Sequence, residues 1–182
     1  MTITMAKPAA IVAPATPLSD ANTLAQAALE RALSYTASQL EFTDVEFAVG
    51  HIRQGDQAAC ERFQYALARE VAEYLHAYDR SVRSVHLYDC DATPEDTIFN
   101  PQPQNSLVHL IVRTDRKSSA LSALIQAFDR ALAVCYGQRL ATDRIGYVLD
   151  VQLVDEDEVR GRTGYGALLS SINLRPTLVW ES

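Results

Sequence analysis

The chain has 182 residues, of which 48% are hydrophobic and 21% are charged, so it can bury a two-layer core without disulfides or a structural metal. Its formal net charge of -7 disfavours non-specific attraction to nucleic acid and to anionic membranes, because binding to phosphate relies on clustered Lys and Arg. The sequence lacks the long apolar run of a membrane span. Its three cysteines are far apart and form no C-x-x-C pair, which predicts reduced thiols in a cytoplasmic protein: Cys60, Cys90 and Cys135.

The first residues predict a flexible tail over 1–18. Their apolar stretch is interrupted by Pro8, Pro14 and Pro17, and a single Lys7 supplies the positive charge, so the pattern does not fit a signal peptide. Residues 19–182 predict one domain without internal repeats. We expect its first part, 19–80, to be mainly helical and its second part, 81–182, to form a β-α-β core.

Three helices are predicted before residue 80. Asp20 is predicted to cap an Ala- and Leu-rich helix that runs to about Leu40. Thr43 and Glu46 have the spacing of a capping box for a short second helix, which Gly55 ends. A third helix is predicted after Asp56, and its apolar residues recur at helical spacing as a core stripe: Phe63, Leu67, Val71, Tyr74, Leu75 and Tyr78.

After residue 80 the hydrophobic period changes from that of a helix to that of a strand. The alternation predicts strands over Ser81–Asp89, Ser106–Thr114 and Tyr147–Val154, with a Pro- and Asn-rich loop, Ala92–Asn105, after the first. A long helix between the second and third strands is capped by Ser118 or Ser119 and closed by Gly137.

The C-terminal part predicts short elements. The acidic stretch Asp155–Glu158 is interpreted as the turn that ends the third strand. A short helix is expected around Ala167–Asn173, followed by an edge strand over Thr177–Trp180.

These elements predict an α+β fold, in which a small mixed or antiparallel sheet is covered by helices on one face. Side chains alternate across a strand, so the apolar sets meet the helices and the polar sets meet on the other face. We expect that face to be open and any site to lie there, formed by His86, Tyr88, His109, Arg113, Asp150 and Gln152.

The order of these elements, and one acid on the third strand within Leu149-Asp150-Val151-Gln152-Leu153, resembles the nucleotidyltransferase superfamily, particularly its minimal members. The resemblance implies a Gly-Ser turn after the first strand, where this chain has Leu87-Tyr88-Asp89-Cys90-Asp91. It also implies two carboxylates on the second strand, where this chain has Leu107-Val108-His109. The family needs three carboxylates to hold two metal ions, and one of them is present. The resemblance therefore implies a degenerate site with no metal, cofactor or catalytic residue, a pseudoenzyme.

Each residue or motif that could form a functional site also has an interpretation without a function. His109 and Asp150 could form a ligand site or a general base, or a simple cross-strand polar pair. Cys90 with His86 could be a nucleophile and base, or a bystander thiol. Acidic residues after the first strand could chelate a cation or only be solvated, and Gly161–Gly166 could cradle phosphate or serve as a flexible connector.

Three functional hypotheses follow. The first is a non-catalytic nucleotidyltransferase-like domain that binds a partner protein or a small ligand on the polar sheet face. The second is a nucleotidyltransferase or another enzyme that uses His109 and Asp150. The third is a structural module in which the helix from Asp20 to Leu40 mediates a homodimer. None of these hypotheses involves binding to a membrane, and nucleic acid is not an expected partner.

Overall fold

The computed structural model describes residues 20–88, 108–142, 145–171 and 176–182. Its elements in chain order are α1 (Ala21–Gln39), α2 (Val45–Arg53), α3 (Gln57–Tyr78), β1 (Val82–Leu87), β2 (Val108–Thr114), α4 (Ser119–Leu140), β3 (Leu149–Asp155), α5 (Glu156–Gly161), α6 (Gly166–Leu169) and β4 (Thr177–Glu181). The predicted tail over 1–18, the predicted loop Ala92–Asn105 and the start of the second predicted strand lie outside the described residues.

The four strands form one mixed sheet in the order β3-β2-β1-β4. β1 is antiparallel to both β2 and β4, whereas β2 and β3 are parallel and are joined through α4, as a parallel pair requires. β4 lies at the sheet edge, as predicted. The predicted α+β class and mixed sheet are therefore confirmed.

The sheet buries one face against the long helices. On β2, Val108, Leu110 and Val112 are fully buried, and the register places Val85 of β1 beside Val112. α3 packs on β1, β2 and β4, while α1 packs on α3 and α4 as a further layer. Strand alternation thus makes this the first face of the sheet, and the residues between these positions form the second face.

α1 uses its apolar residues inside the chain. Leu29 and Leu33 are 1% and 0% exposed, and both belong to the core that α3 and α4 share. The apolar face of this helix is therefore part of the chain's own core. The homodimer through this helix stays a prediction.

Hydrogen bonds at the helix ends correct several local predictions. Asp44, not Thr43, caps α2, since its side chain accepts a bond from the Phe47 N–H. Asp56 and Ser118 cap α3 and α4 as predicted, whereas Asp20 makes no side-chain capping bond. Short polar side chains at adjacent positions compete for a cap, so spacing alone did not identify the one that is used.

One residue of a predicted core stripe and one predicted helix end also differ from the prediction. Tyr78 is 40% exposed at the last turn of α3, where the helix leaves the core. Gly137 lies within α4, which ends three residues later at Leu140 and is followed by Ala141 in the left-handed conformation. The N–H of Ala141 bonds to the carbonyl of Gly137. The carbonyl of Gly137 thus accepts the last hydrogen bond of the helix, and Gly137 is not the residue at which the helix ends.

The acidic stretch after β3 begins a helix and is not a simple turn. The side chain of Asp155 accepts the N–H of Glu158, and that of Glu158 accepts the N–H of Asp155, which makes a capping box for α5. Tyr147, predicted to begin the strand, precedes β3 and is 53% exposed. The described part of the predicted C-terminal helix is α6, which ends at Leu169.

The segment Gly161–Gly166 is a tight connection between α5 and α6. A Cβ built on Gly166 would lie 2.5 Å from the carbonyl oxygen of Glu158, so the two backbones are in direct contact. Gly164 has a φ of +49°. Gly164 and Gly166 are thus required by backbone geometry at this connection.

The second face of the sheet is covered in part, which corrects the expectation of an open face. Ile111 and Val154 point to this face and are 0% and 1% exposed. α5 packs on β3, and α6 packs on α5. The uncovered part of the second face is therefore a site bounded by short helices. None of the helices in the described ranges is both long enough and apolar enough to cross a membrane.

A carboxylate of α4 fixes the start of β3. The Oδ1 atom of Asp129 accepts the N–H groups of Val148 and Leu149 at 2.8 and 2.9 Å. Burial raises the pKa of Asp129 above its ordinary value of 3.8, and the two backbone bonds act in the opposite direction. The carboxylate is thus a structural acceptor that aligns the edge strand with β2.

Replacing Asp129 with Ala should lower the free energy of unfolding by about 1–3 kcal/mol at neutral pH, because two backbone donors lose their acceptor. Asp129→Asn keeps an oxygen acceptor and should lose less. Since the folded pKa is raised, the wild type should lose stability relative to Asp129→Asn as the pH rises from acid through that pKa. Urea titrations at several pH values measure this difference, and a pH-independent difference would contradict it.

The Tyr74 hydroxyl is a buried group without a hydrogen-bond partner among the described residues. The Tyr74 ring stacks on Phe128 with ring centroids 4.1 Å apart. Burial raises the pKa of the Tyr74 hydroxyl to about 12. Tyr74→Phe removes the unpaired hydroxyl and keeps the stacked ring. We expect the free energy of unfolding to stay unchanged or to rise by up to about 1 kcal/mol, measured by urea unfolding. A loss of stability would reveal a hydrogen bond to this hydroxyl.

Candidate functional site

All six predicted site residues lie on the second face or at its edge. The register pairs His109 with Asp150, places Gln152 beside Ile111, and places Arg113 beside Ser84. His86 also pairs with Ile111, and the N–H of Tyr88, just after β1, bonds to the carbonyl of His109. The residues divide into two neighbouring groups, one around Asp150 and one around a pocket.

The Asp150 cluster consists of Tyr88, His109, Asp150 and Gln152. The Oδ2 atom of Asp150 lies 3.0 Å from Nδ1 of His109 and accepts the Tyr88 hydroxyl at 3.3 Å. Its Oδ1 atom accepts the side-chain amide of Gln152 at 3.0 Å. The Tyr88 ring is 5.5 Å from the His109 ring and 5.8 Å from the Tyr165 ring, between centroids.

This arrangement makes Asp150 the acceptor for three neighbouring side chains. A cation bound there would have to compete with the donors of Tyr88, His109 and Gln152, and imidazole is a poor ligand for Mg²⁺. Within the described ranges, no three His, Cys, Asp or Glu residues are grouped so as to hold a metal ion. The bond from Nδ1 also fixes the orientation of the imidazole, so Nε2 points away from the carboxylate.

A pocket of about 380 Å³ lies beside this cluster, between the sheet and the α5–α6 segment. Its polar lining comes mainly from the sheet: Ser84, His86, Arg113, Glu181 and, from beyond α6, Ser170. Its apolar lining comes from both sides: Val159, Leu169, Pro176 and Leu178. The volume is at the small end of the range of about 300–1,000 Å³ that is typical of ligand sites.

Ion pairs hold α5 over this pocket. Nε and Nη2 of Arg113 both donate to Oε2 of Glu156, at 3.1 and 2.7 Å. Nζ of Lys117 lies 2.6 Å from Oε2 of Glu158. These pairs are partly exposed, so each adds modest stability, but together with the α5 capping box they position the apolar wall formed by Val159.

A hydrogen bond joins two polar lining residues. Oγ of Ser84 lies 3.0 Å from Nε2 of His86, with Ser84 only 2% exposed. Ser84 and Glu181 were not among the predicted site residues. Ser84 has the same strand parity as His86, and that signal could have identified it. Identifying Glu181 as a lining residue required the β1–β4 register, in which Glu181 pairs with Ser84.

The remaining sequence-based candidates are described only in part. Cys90 and the acidic residues after the first strand lie outside the described residues. Burial raises the pKa of the thiols of Cys60 and Cys135, so neither is an activated nucleophile. The Gly161–Gly166 connection follows a helix of six residues and brings Tyr165 to the Asp150 cluster.

No family model, no curated protein and no solved structure matches this chain. The resemblance to nucleotidyltransferases therefore stays a prediction.

Asp150→Ala should lower the free energy of unfolding by about 1–3 kcal/mol, because partly buried donors on Tyr88 and His109 lose their acceptor. Asp150→Asn keeps an acceptor for Tyr88 and should lose less. Asp157→Ala is the matched control, since that carboxylate is 94% exposed and should leave stability unchanged. Equal stability of Asp150→Ala and the wild type in urea titrations would contradict a structural role for Asp150.

Proposed function

We propose that this chain is a non-catalytic domain that binds a small polar ligand in the pocket on the second sheet face. The observation that carries the proposal is the pocket itself, where polar side chains of three strands face an apolar wall from α5 and α6. Ligand sites combine an apolar lining with a few convergent polar groups, and this pocket has that composition.

The bonding of Asp150 supports the non-catalytic part of the proposal. The scaffold is proposed to be nucleotidyltransferase-like, and Asp150 is then the one carboxylate left of the three that two-metal catalysis needs. Its oxygens accept three side-chain donors, and His109 occupies a position where that chemistry requires an acid. A carboxylate used in this way supports the structure of the face.

A second candidate function is an enzyme in which His109 acts as a general base. The 3.0 Å contact between His109 and Asp150 favours it, because a carboxylate can orient an imidazole and stabilise its protonated form. The shared bonding of Asp150 with Tyr88 and Gln152 is equally expected of a structural cluster. The two candidates differ in whether His109 touches the ligand.

A thermal-shift screen of small metabolites, with nucleoside triphosphates tested with and without Mg²⁺, examines the proposal. A ligand at a hundredfold over its Kd should stabilise the wild type by about 2.7 kcal/mol. Ser170→Trp, which fills the pocket from its exposed rim, should abolish that shift. Ser34→Trp on the exposed side of α1 is the matched control and should preserve it.

Two results would overturn the proposal. One is stabilisation by a triphosphate that requires both Mg²⁺ and Asp150, tested with Asp150→Asn. The other is a ligand shift that Ser170→Trp leaves unchanged. Turnover of the ligand that disappears in His109→Gln, with binding retained, would favour the enzyme.

A further inference from the structure

The residues that line the pocket indicate its ligand better than its volume does, because the charged side chains lie in a row across three strands. Ser84 of β1 pairs with Arg113 of β2 on one side and with Glu181 of β4 on the other. Neighbouring strands are about 4.8 Å apart, so the Cα atoms of Arg113 and Glu181 are about 10 Å apart. A positive and a negative side chain therefore flank the pocket floor formed by Ser84 and His86.

Both charges retain capacity to bind. The bonds from Arg113 to Glu156 use Nε and Nη2, and Nη1 makes no hydrogen bond with a described residue. Glu181 forms no ion pair within the described part of the chain. A guanidinium edge is suited to a carboxylate, and a carboxylate is suited to an ammonium group.

The opposite side of the pocket is apolar. Val159 and Leu169 come from α5 and α6, and Leu178 of β4, which pairs with His86 on the sheet side of the pocket, is 47% exposed. An aliphatic group placed there would remove these side chains from water, which is favourable in proportion to the apolar area covered. The pocket thus offers a cation, an anion and an aliphatic wall within about 380 Å³.

We propose that this pocket binds a small zwitterion with an aliphatic side chain, that is, a free aliphatic amino acid. Its carboxylate binds Nη1 of Arg113, its ammonium group binds Glu181, and its side chain packs on Val159, Leu169 and Leu178. The inference rests on the proposed binding function and specifies its ligand class.

The experiment uses L-leucine and two analogues that each lack one charge, 3-methylbutylamine and 4-methylpentanoate. Isothermal titration of the full chain should give the tightest binding for L-leucine, with each analogue weaker by about tenfold or more, since each analogue lacks one charge-assisted bond. Glu181→Gln should weaken L-leucine by about tenfold and leave 4-methylpentanoate unchanged. Arg113→Gln should weaken L-leucine similarly and leave 3-methylbutylamine unchanged.

Matched variants separate recognition from folding. Glu73→Gln and Arg69→Gln remove the same charges from the exposed side of α3 and should bind L-leucine like the wild type. Arg113→Gln also breaks the pair with Glu156, which helps to position the Val159 wall. Glu156→Gln breaks that pair alone, so it should weaken L-leucine binding clearly less than Arg113→Gln does. If Glu156→Gln loses binding as Arg113→Gln does, contact between Arg113 and the carboxylate is excluded.

The remaining outcomes separate this inference from the proposed function. Binding of either analogue as tightly as L-leucine, lost in Ser170→Trp, overturns the zwitterion and leaves a ligand pocket. The absence of binding by all three probes also overturns the zwitterion. The proposed function is also overturned if, in addition, no compound in the wider thermal-shift screen gives a shift that Ser170→Trp abolishes.

Discussion

The alternation of side chains along β2 is the constraint on which the rest of the structure depends. β2 is hydrogen-bonded to β1 on one side and to β3 on the other, so its register fixes both neighbours. A shift by one residue would turn Arg113 and His109 into the helical core and expose Leu110 and Val112. Burying those polar groups without partners would be costly, so one register satisfies both faces.

Two carboxylates fix β3 through hydrogen bonds. Asp129 reaches from α4 to the backbone N–H groups at the start of the strand. Asp150 bonds to side chains just after β1, on β2 and on β3 itself. An edge strand with one hydrogen-bonded neighbour needs such additional fixing. The positions of the α5 wall and of the pocket follow, because α5 starts directly after the last residue of β3.

The sequence predicted the fold class, the two faces of the sheet and the contact between His109 and Asp150, because all three depend on strand parity. It could not predict the strand order or the partial cover of the second face. Those depend on contacts between distant segments, such as the pairing of Ser84 with Glu181 and the pairs of Arg113 and Lys117 with α5. The acidic stretch after β3 was misinterpreted because the same residues suit a turn and a helix N-terminus.

The close approach of Gly166 to Glu158 limits how this protein can diverge. Any side chain at position 166 would push α6 away from α5. Selection therefore has no freedom at the glycine that begins α6. In an alignment of true relatives, an invariant glycine eleven residues beyond the end of β3 would mark this contact between the two short helices.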